Sequence, residues 1–166
     1  MEAGPVPLRR NRDFVLLRIG QALSTVGSEA SGIAYTLLVL ALTDSPAKAG
    51  VAGFARLVPY ALFALPAGVA VDRCNRKWLM IWSDVVRVVA LAFLGVVVAT
   101  GHATFAQVVI VAFIEGTMFV IFNIAEIGAV RSVVPGPQLQ HAFAAEQARL
   151  SSVYLAGPPL GGVLFG

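Results

Sequence analysis

The stretch GVAVDRCNRKW (Gly68–Trp78) places five polar or charged residues between two long apolar segments. Asp72 is followed at once by Arg73, and the basic pair Arg76–Lys77 closes the stretch. The C-terminal end of a helix carries a partial negative charge, so basic residues are favourable there and an aspartate is not. We therefore predict that Asp72 has a partner outside its own helix. Gly68, one turn earlier, would let another backbone come close.

The composition is that of a membrane protein. Apolar residues make up 58% of the 166 residues and charged residues 13%, against roughly a quarter charged in soluble domains. A single cysteine excludes an internal disulfide. The sequence has no metal-ligand spacing, no nucleophile–base arrangement and no phosphate-binding loop, and its basic residues form no face for nucleic acid. We therefore expect no enzyme, no cofactor, no metal site and no nucleic-acid partner.

Five segments are apolar and long enough to cross a bilayer, which takes about 20 residues of helix. Three of the four turns between them are short, and three contain proline or glycine, so no room is left for a soluble domain. We predict an all-α membrane protein, a multi-pass helical bundle, that follows a short N-terminal segment at residues 1–13. The transmembrane domain is predicted over 14–166, with spans at about 14–42, 49–71, 78–99, 104–124 and 142–166.

Basic residues are distributed unevenly over the segments outside the predicted spans. The positive-inside rule assigns the side that is richer in Lys and Arg to the cytoplasm. We therefore expect a multi-pass protein of the cell membrane with a cytoplasmic N-terminus. One side has only Lys48, whereas the other has Arg9, Arg10, Arg12, Arg73, Arg76, Lys77 and Arg131.

Several charged residues lie inside the predicted spans. At 1.5 Å per residue, Glu29 lies ~20 Å along the first span, and Arg56 reaches a similar depth in the second; Glu115 falls near the middle of the fourth. Charges at that depth are costly. They are expected either to form structural pairs, such as Glu29 with Arg56, or to serve in proton coupling or substrate binding. Asp84 and Arg87 share a face of the third span at i, i+3 and are placed to pair. The first span has a polar face made of Arg18, Gln21, Thr25, Ser28, Glu29, Gly32 and Thr36.

The stretch between the second and third spans resembles the signature of the major facilitator superfamily, roughly G-x-x-x-D-R-x-x-R-K/R. The resemblance implies a gate, in which the aspartate joins the basic residues of the loop and docks against a helix of the transporter's other half. This contact holds the cytoplasmic side shut and breaks as the transporter rocks. Asn75 stands where the family usually has glycine. The signature positions are Gly68, Asp72, Arg73, Arg76 and Lys77.

The predicted fifth span contains AGPPLGG (Ala156–Gly162), which resembles the antiporter motif that exporters of this family carry in helix five. The runs RNRDF, GQALSTVG, LPAGVAVDR and VVPGPQLQHAFA resemble the drug and siderophore exporter branch. The fourth span departs from proton-coupled drug antiporters, since Ala112 replaces an arginine and Glu115–Gly116 replaces a Q-G pair. The antiporter motif residues are Gly157, Pro158, Gly161 and Gly162.

The resemblance extends over essentially the whole chain but over only about five of the family's twelve helices. We therefore expect part of the N-terminal half of a major facilitator fold, with the C-terminal half missing. The implied function is secondary export of a small hydrophobic or amphipathic compound, by proton antiport and alternating access. Its partners would be that small-molecule substrate, protons and the lipid bilayer. An uptake permease of the same fold and a non-transporting membrane partner protein are the alternatives.

Overall fold

The computed structural model describes residues 12–133 and residue 144. Residues 12–133 form four long helices and no strand. Each helix contains an apolar stretch long enough to cross a membrane, which confirms the predicted all-α, multi-pass fold. The helices are α1 (Arg12–Thr43), α2 (Pro46–Arg73), α3 (Arg76–Ala99) and α4 (Phe105–Val133). Apart from residue 144, the predicted fifth span at 142–166 lies outside the described residues, as do residues 1–11 of the N-terminal segment.

Capping side chains set where α2 and α3 begin. The Ser45 hydroxyl accepts a hydrogen bond from the Lys48 backbone N–H at 3.4 Å, and Pro46 occupies the first turn, where its missing N–H costs nothing. Helix α2 therefore starts before the predicted position 49. Asn75 caps α3 in the same manner, since its side chain accepts from the Lys77 backbone N–H at 3.1 Å.

Helix α4 starts at a reciprocal cap and runs further than predicted. The Gln107 side chain accepts from the Thr104 backbone N–H at 2.9 Å, and the Thr104 hydroxyl accepts from the Gln107 backbone N–H at 3.4 Å. The sequence after Ile124 contains no proline before Pro135. The helix continues through this segment to Val133.

Helix α4 lies at the centre of the bundle and contacts the other three helices. It approaches α2 closely at Gly116, where a Cβ atom would overlap the backbone carbonyl oxygen of Arg56. Small residues permit such close crossings of membrane helices. A buried apolar core lies near the turn between α1 and α2 and consists of Tyr35, Val39, Ala49, Ala52, Leu94, Val108, Val111 and Ala112.

Apolar side chains cover the outer faces of α1, α2 and α3. Leu23, Leu65 and Val88 are examples, with 70%, 87% and 65% of their surface exposed. Lipid tails are as apolar as leucine, so these faces need no protein cover in a membrane. Six polar or charged side chains of the described helices are buried between them, namely Gln21, Ser28, Ser31, Ser83, Arg87 and Glu115.

Candidate functional site

The centre of the bundle holds a fully buried carboxylate, Glu115 on α4. Arg56 Nε lies 2.7 Å from one of its oxygens, and Arg87 Nη2 lies 3.1 Å from the other. Arg87 also contacts Asp84 on its own helix at 3.2 Å, so the pair that the i, i+3 spacing allowed is present. These four residues form the charge cluster. Their formal charges cancel, and each buried ion has a partner, as burial in low dielectric requires.

Both arginines of the charge cluster also bind α1. Arg56 Nη2 donates to the backbone carbonyl of Ser28 at 2.8 Å. Arg87 donates to the Ser24 hydroxyl at 2.7 Å and to the Ser28 hydroxyl. The two guanidinium carbons lie 5.9 and 5.7 Å from the ring centre of Phe119, within the range of cation–π attraction. The cluster therefore ties all four helices together.

A cleft of about 450 Å³ opens between α1 and α2 beside the charge cluster. Glu29 lies on its wall and is exposed, and no described residue gives this carboxylate a hydrogen bond or an ion pair. Arg56 borders the cleft with 19% of its side chain exposed. Tyr35 is buried, and its hydroxyl has no hydrogen-bond partner among the described residues. The other lining residues are Gly32, Ile33, Thr36, Leu37, Gly53 and Leu57.

Arg56 does not form the ion pair with Glu29 that the sequence offered as one alternative. Its carboxylate partner is Glu115. The reason is that glycines of α1 and α4 leave room beside Arg56. A Cβ atom on Gly32 would lie 2.7 Å from Arg56 Nη1, so the missing side chain lets the guanidinium pass α1. Gly116 brings α4 against the backbone of α2, within reach of the same side chain.

The predicted gate lies at the turn between α2 and α3. The Asp72 side chain is 78% exposed, and Arg76 Nη2 lies 3.8 Å from its carboxylate. Arg76 Nη1 also donates to the backbone carbonyl of Gly128 on α4 at 3.0 Å. A Cβ atom on Gly128 would lie 2.6 Å from Arg76 Nε, so a glycine is needed where the arginine lies across α4. Arg76 therefore anchors the turn to α4 and leaves Asp72 open to solvent.

The other residues of the predicted gate make no close contact with the four helices. Arg73 and Lys77 are exposed. No atom of the described chain lies within 4 Å of the position that a Cβ atom would take on Gly68. The close backbone approach predicted at Gly68 is therefore not made by α1, α3 or α4. The predicted antiporter motif, Gly157, Pro158, Gly161 and Gly162, lies outside the described residues.

Glu126 on α4 forms a second polar contact, one that the sequence prediction did not include. The side-chain amide of Gln21 on α1 donates to the Glu126 carboxylate. Arg18 donates to the side-chain oxygen of Gln21 at 3.2 Å. The prediction ended the fourth span before this residue. The spacing does carry a signal, because Glu126 lies about three helical turns after Glu115 and so shares its face. The same face carries Phe119, at one turn from Glu115.

The comparisons with known proteins agree with the four-helix membrane fold. The family model of the Major Facilitator Superfamily matches residues 17–166. Macrolide efflux protein A from Streptococcus pyogenes is 30% identical over 156 residues, which are 92% of this chain and 38% of that protein. A protein of the same name from Streptococcus pyogenes serotype M6 gives the same figures. This chain therefore spans well under half the length of these two relatives.

No solved structure matches the chain significantly. The family model, in contrast, covers all but the first residues of the sequence. The chain belongs to the Major Facilitator Superfamily.

Proposed function

We propose that this chain forms the first helices of a secondary transporter that exports a small hydrophobic or amphipathic compound by proton antiport. The observation that carries the proposal is the position of Glu29. This exposed carboxylate lies within the membrane-spanning helix α1 and lines a cleft of about 450 Å³. A charge at such depth is costly unless it has a partner or a task. Glu29 has no partner in the described part of the chain, so a task is the better explanation.

Three residues were considered for coupling or substrate binding, and their contacts differ, so we assign them different roles. They are Glu29, Arg56 and Glu115. Glu115 is buried, and both of its oxygens are occupied by arginines, so its role is to hold the helices together. Glu29 faces open space and is free to exchange a proton or a cationic substrate as water access alternates. Arg56 belongs to both sites, because it binds Glu115 and also borders the cleft.

The direction of transport and the substrate class rest on two supports. The relatives from Streptococcus pyogenes are macrolide efflux proteins, so a drug-like compound moving outward is the proposed cargo. The run that contains Gly157, Pro158, Gly161 and Gly162 resembles the antiporter motif of exporters, which favours export over uptake. The remaining helices of the transporter would supply the other half and close the substrate cavity at the midplane.

We further propose that the N-terminus and the turn between α2 and α3 are cytoplasmic, because the basic residues concentrate there. Cys74 lies in this turn, is exposed, and is the single cysteine of the chain. A membrane-impermeant maleimide should therefore leave Cys74 unlabelled in intact cells and label it in inside-out vesicles. Labelling of intact cells at the vesicle rate would reverse the proposed orientation.

Export and the gate are tested together in cells that express the complete transporter. The wild-type protein should lower the accumulation of a labelled macrolide, and a protonophore should abolish this effect. Asp72→Asn should raise accumulation toward that of empty cells while membrane abundance stays near normal. The reason is that Asp72 is 78% exposed at the end of its helix, where its charge contributes little to insertion or folding.

Asp44→Asn is the matched control for Asp72→Asn, because it makes the same change at an exposed aspartate outside the predicted gate, in the turn between α1 and α2. We expect a smaller effect on transport. Three results would count against the proposal. They are macrolide accumulation above that of empty cells, efflux that is indifferent to the protonophore, and normal efflux by Asp72→Asn.

A further inference from the structure

We infer that the cleft between α1 and α2 binds an organic cation that carries a hydrogen-bond acceptor beside its charged nitrogen. Glu29 would bind the cation, and Arg56 would donate to the acceptor. The inference rests on the proposed function and adds to it the chemical class of the cargo.

The sign of the charge follows from the balance of ions around the cleft. Arg56, Arg87, Glu115 and Asp84 contact one another and sum to zero formal charge. Glu29 is the one further ionisable acid that lines the cleft in the described part of the chain. The carboxylate of Glu29 thus gives the cleft a net negative charge at a depth within the membrane. A cation is the ligand that neutralises it.

The acceptor follows from the third nitrogen of Arg56. Nε is bound to Glu115 and Nη2 to the Ser28 carbonyl, so the guanidinium is held on two sides. Nη1 lies against Gly32, which lines the cleft. No described residue accepts a hydrogen bond from Nη1. A guanidinium held in this way presents its remaining N–H groups in a fixed direction, which suits recognition of a single acceptor atom.

The rest of the cleft fits an amphipathic molecule. Ile33, Leu37 and Leu57 supply apolar walls, and the volume lies within the range of pockets that hold drug-sized ligands. The Tyr35 hydroxyl is buried at this site without a partner in the described chain. This hydroxyl therefore belongs to the closed wall behind the cleft and is not counted among the groups that bind the ligand.

The test uses two fluorescent probes that differ in one atom group. One is a naphthyl ether that ends in a β-methoxy dimethylamine, and the other is the same molecule without the methoxy group. Binding is measured on the full chain in lipid nanodiscs, with empty nanodiscs as the blank. A hydrogen bond to a charged donor should make the methoxy probe bind roughly tenfold more tightly than the other. Glu29→Gln should weaken both probes alike and leave their ratio unchanged.

Two glycines of α1 give a matched pair of variants. In Gly32→Ala the added methyl would meet Arg56 Nη1 at 2.7 Å, whereas in Gly27→Ala, at a residue that does not line the cleft, it would meet no atom within 4 Å. Alanine favours the helix at both sites, so folding should be retained. Gly32→Ala should bring the two affinities to within about twofold of each other by displacing the donor. Gly27→Ala should keep the wild-type ratio.

The inference is overturned if the wild-type chain binds neither probe above the blank, or if it discriminates between the probes by less than about twofold. A ratio that Gly32→Ala and Gly27→Ala change equally would also overturn it. These outcomes are distinct from a failure of the proposed function. If the proposed function fails and the inference holds, the complete transporter exports nothing, although the probes bind to the cleft as expected.

Discussion

Glu115→Gln is expected to destabilise the chain by about 3–5 kcal/mol, the cost of breaking a buried ion pair from one side. Arg56 and Arg87 each bind one oxygen of this fully buried carboxylate. Glutamine keeps the shape of the side chain but removes the charge and directs an N–H₂ group at one of the two arginines. Both guanidinium groups then lack their shared counter-ion. Thermal unfolding of the purified chain in detergent and its abundance in membranes measure the effect.

Asp84→Asn is the matched control for Glu115→Gln. Asp84 contacts Arg87 and accepts from the Ser24 hydroxyl at 3.0 Å, but 43% of its side chain is exposed. Solvent therefore screens the charge, and we expect a loss of about 1 kcal/mol or less. Equal stability of Glu115→Gln, Asp84→Asn and the wild-type chain would contradict the account of the charge cluster.

Glu29→Gln is expected to lower efflux by roughly 10- to 100-fold, the usual effect of removing a charge-assisted hydrogen bond from a binding site. The variant should reach the membrane in normal amount, because Glu29 is exposed on the cleft and supports no described neighbour. If Glu29 exchanges protons, the remaining efflux should also lose its dependence on pH. Initial efflux rates from loaded vesicles, divided by the amount of inserted protein, give the comparison.

Thr36→Val tests whether any polar change in the cleft has the same effect. Thr36 lines the same cleft, but its hydroxyl is already used by its own helix, donating to the Gly32 carbonyl at 3.2 Å. Efflux by Thr36→Val should stay within about twofold of wild type, because only an intrahelical hydrogen bond is removed. An equal loss in Thr36→Val and Glu29→Gln would mean that the shape of the cleft, and not the carboxylate, controls transport.

The number and the order of the first four helices were predictable, because each apolar segment is bounded by a short turn that contains proline, glycine or charged residues. The choice of carboxylate for Arg56 was not. Depth along the helix placed Arg56 near Glu29, and nothing in the periodicity reported how α4 is rotated. Apart from the face shared by Glu115 and Glu126, that helix is apolar nearly all round, so its pattern does not say which neighbouring helix Glu115 faces. Contact between α2 and α4 at Gly116 decides the pairing.

The contacts of the turn between α2 and α3 were only partly predictable. The partner that the resemblance assigns to Asp72 belongs to the other half of the transporter and stays a prediction, and among the described residues Asp72 is mostly exposed. Arg76 binds a backbone carbonyl at Gly128. A bond from a side chain to a main-chain oxygen leaves no charge pattern in the sequence, so this anchor was not visible there.

The central claim is that two acids of this membrane bundle have separate roles, with Glu115 holding the helices and Glu29 serving transport. The most direct test is efflux per inserted molecule, measured side by side for Glu29→Gln and Glu115→Gln in the complete transporter. We predict that Glu29→Gln inserts normally and exports little, whereas Glu115→Gln is scarce and unstable but exports at near the wild-type rate for each correctly inserted molecule. A scarce Glu29→Gln together with an abundant, inactive Glu115→Gln would contradict the account.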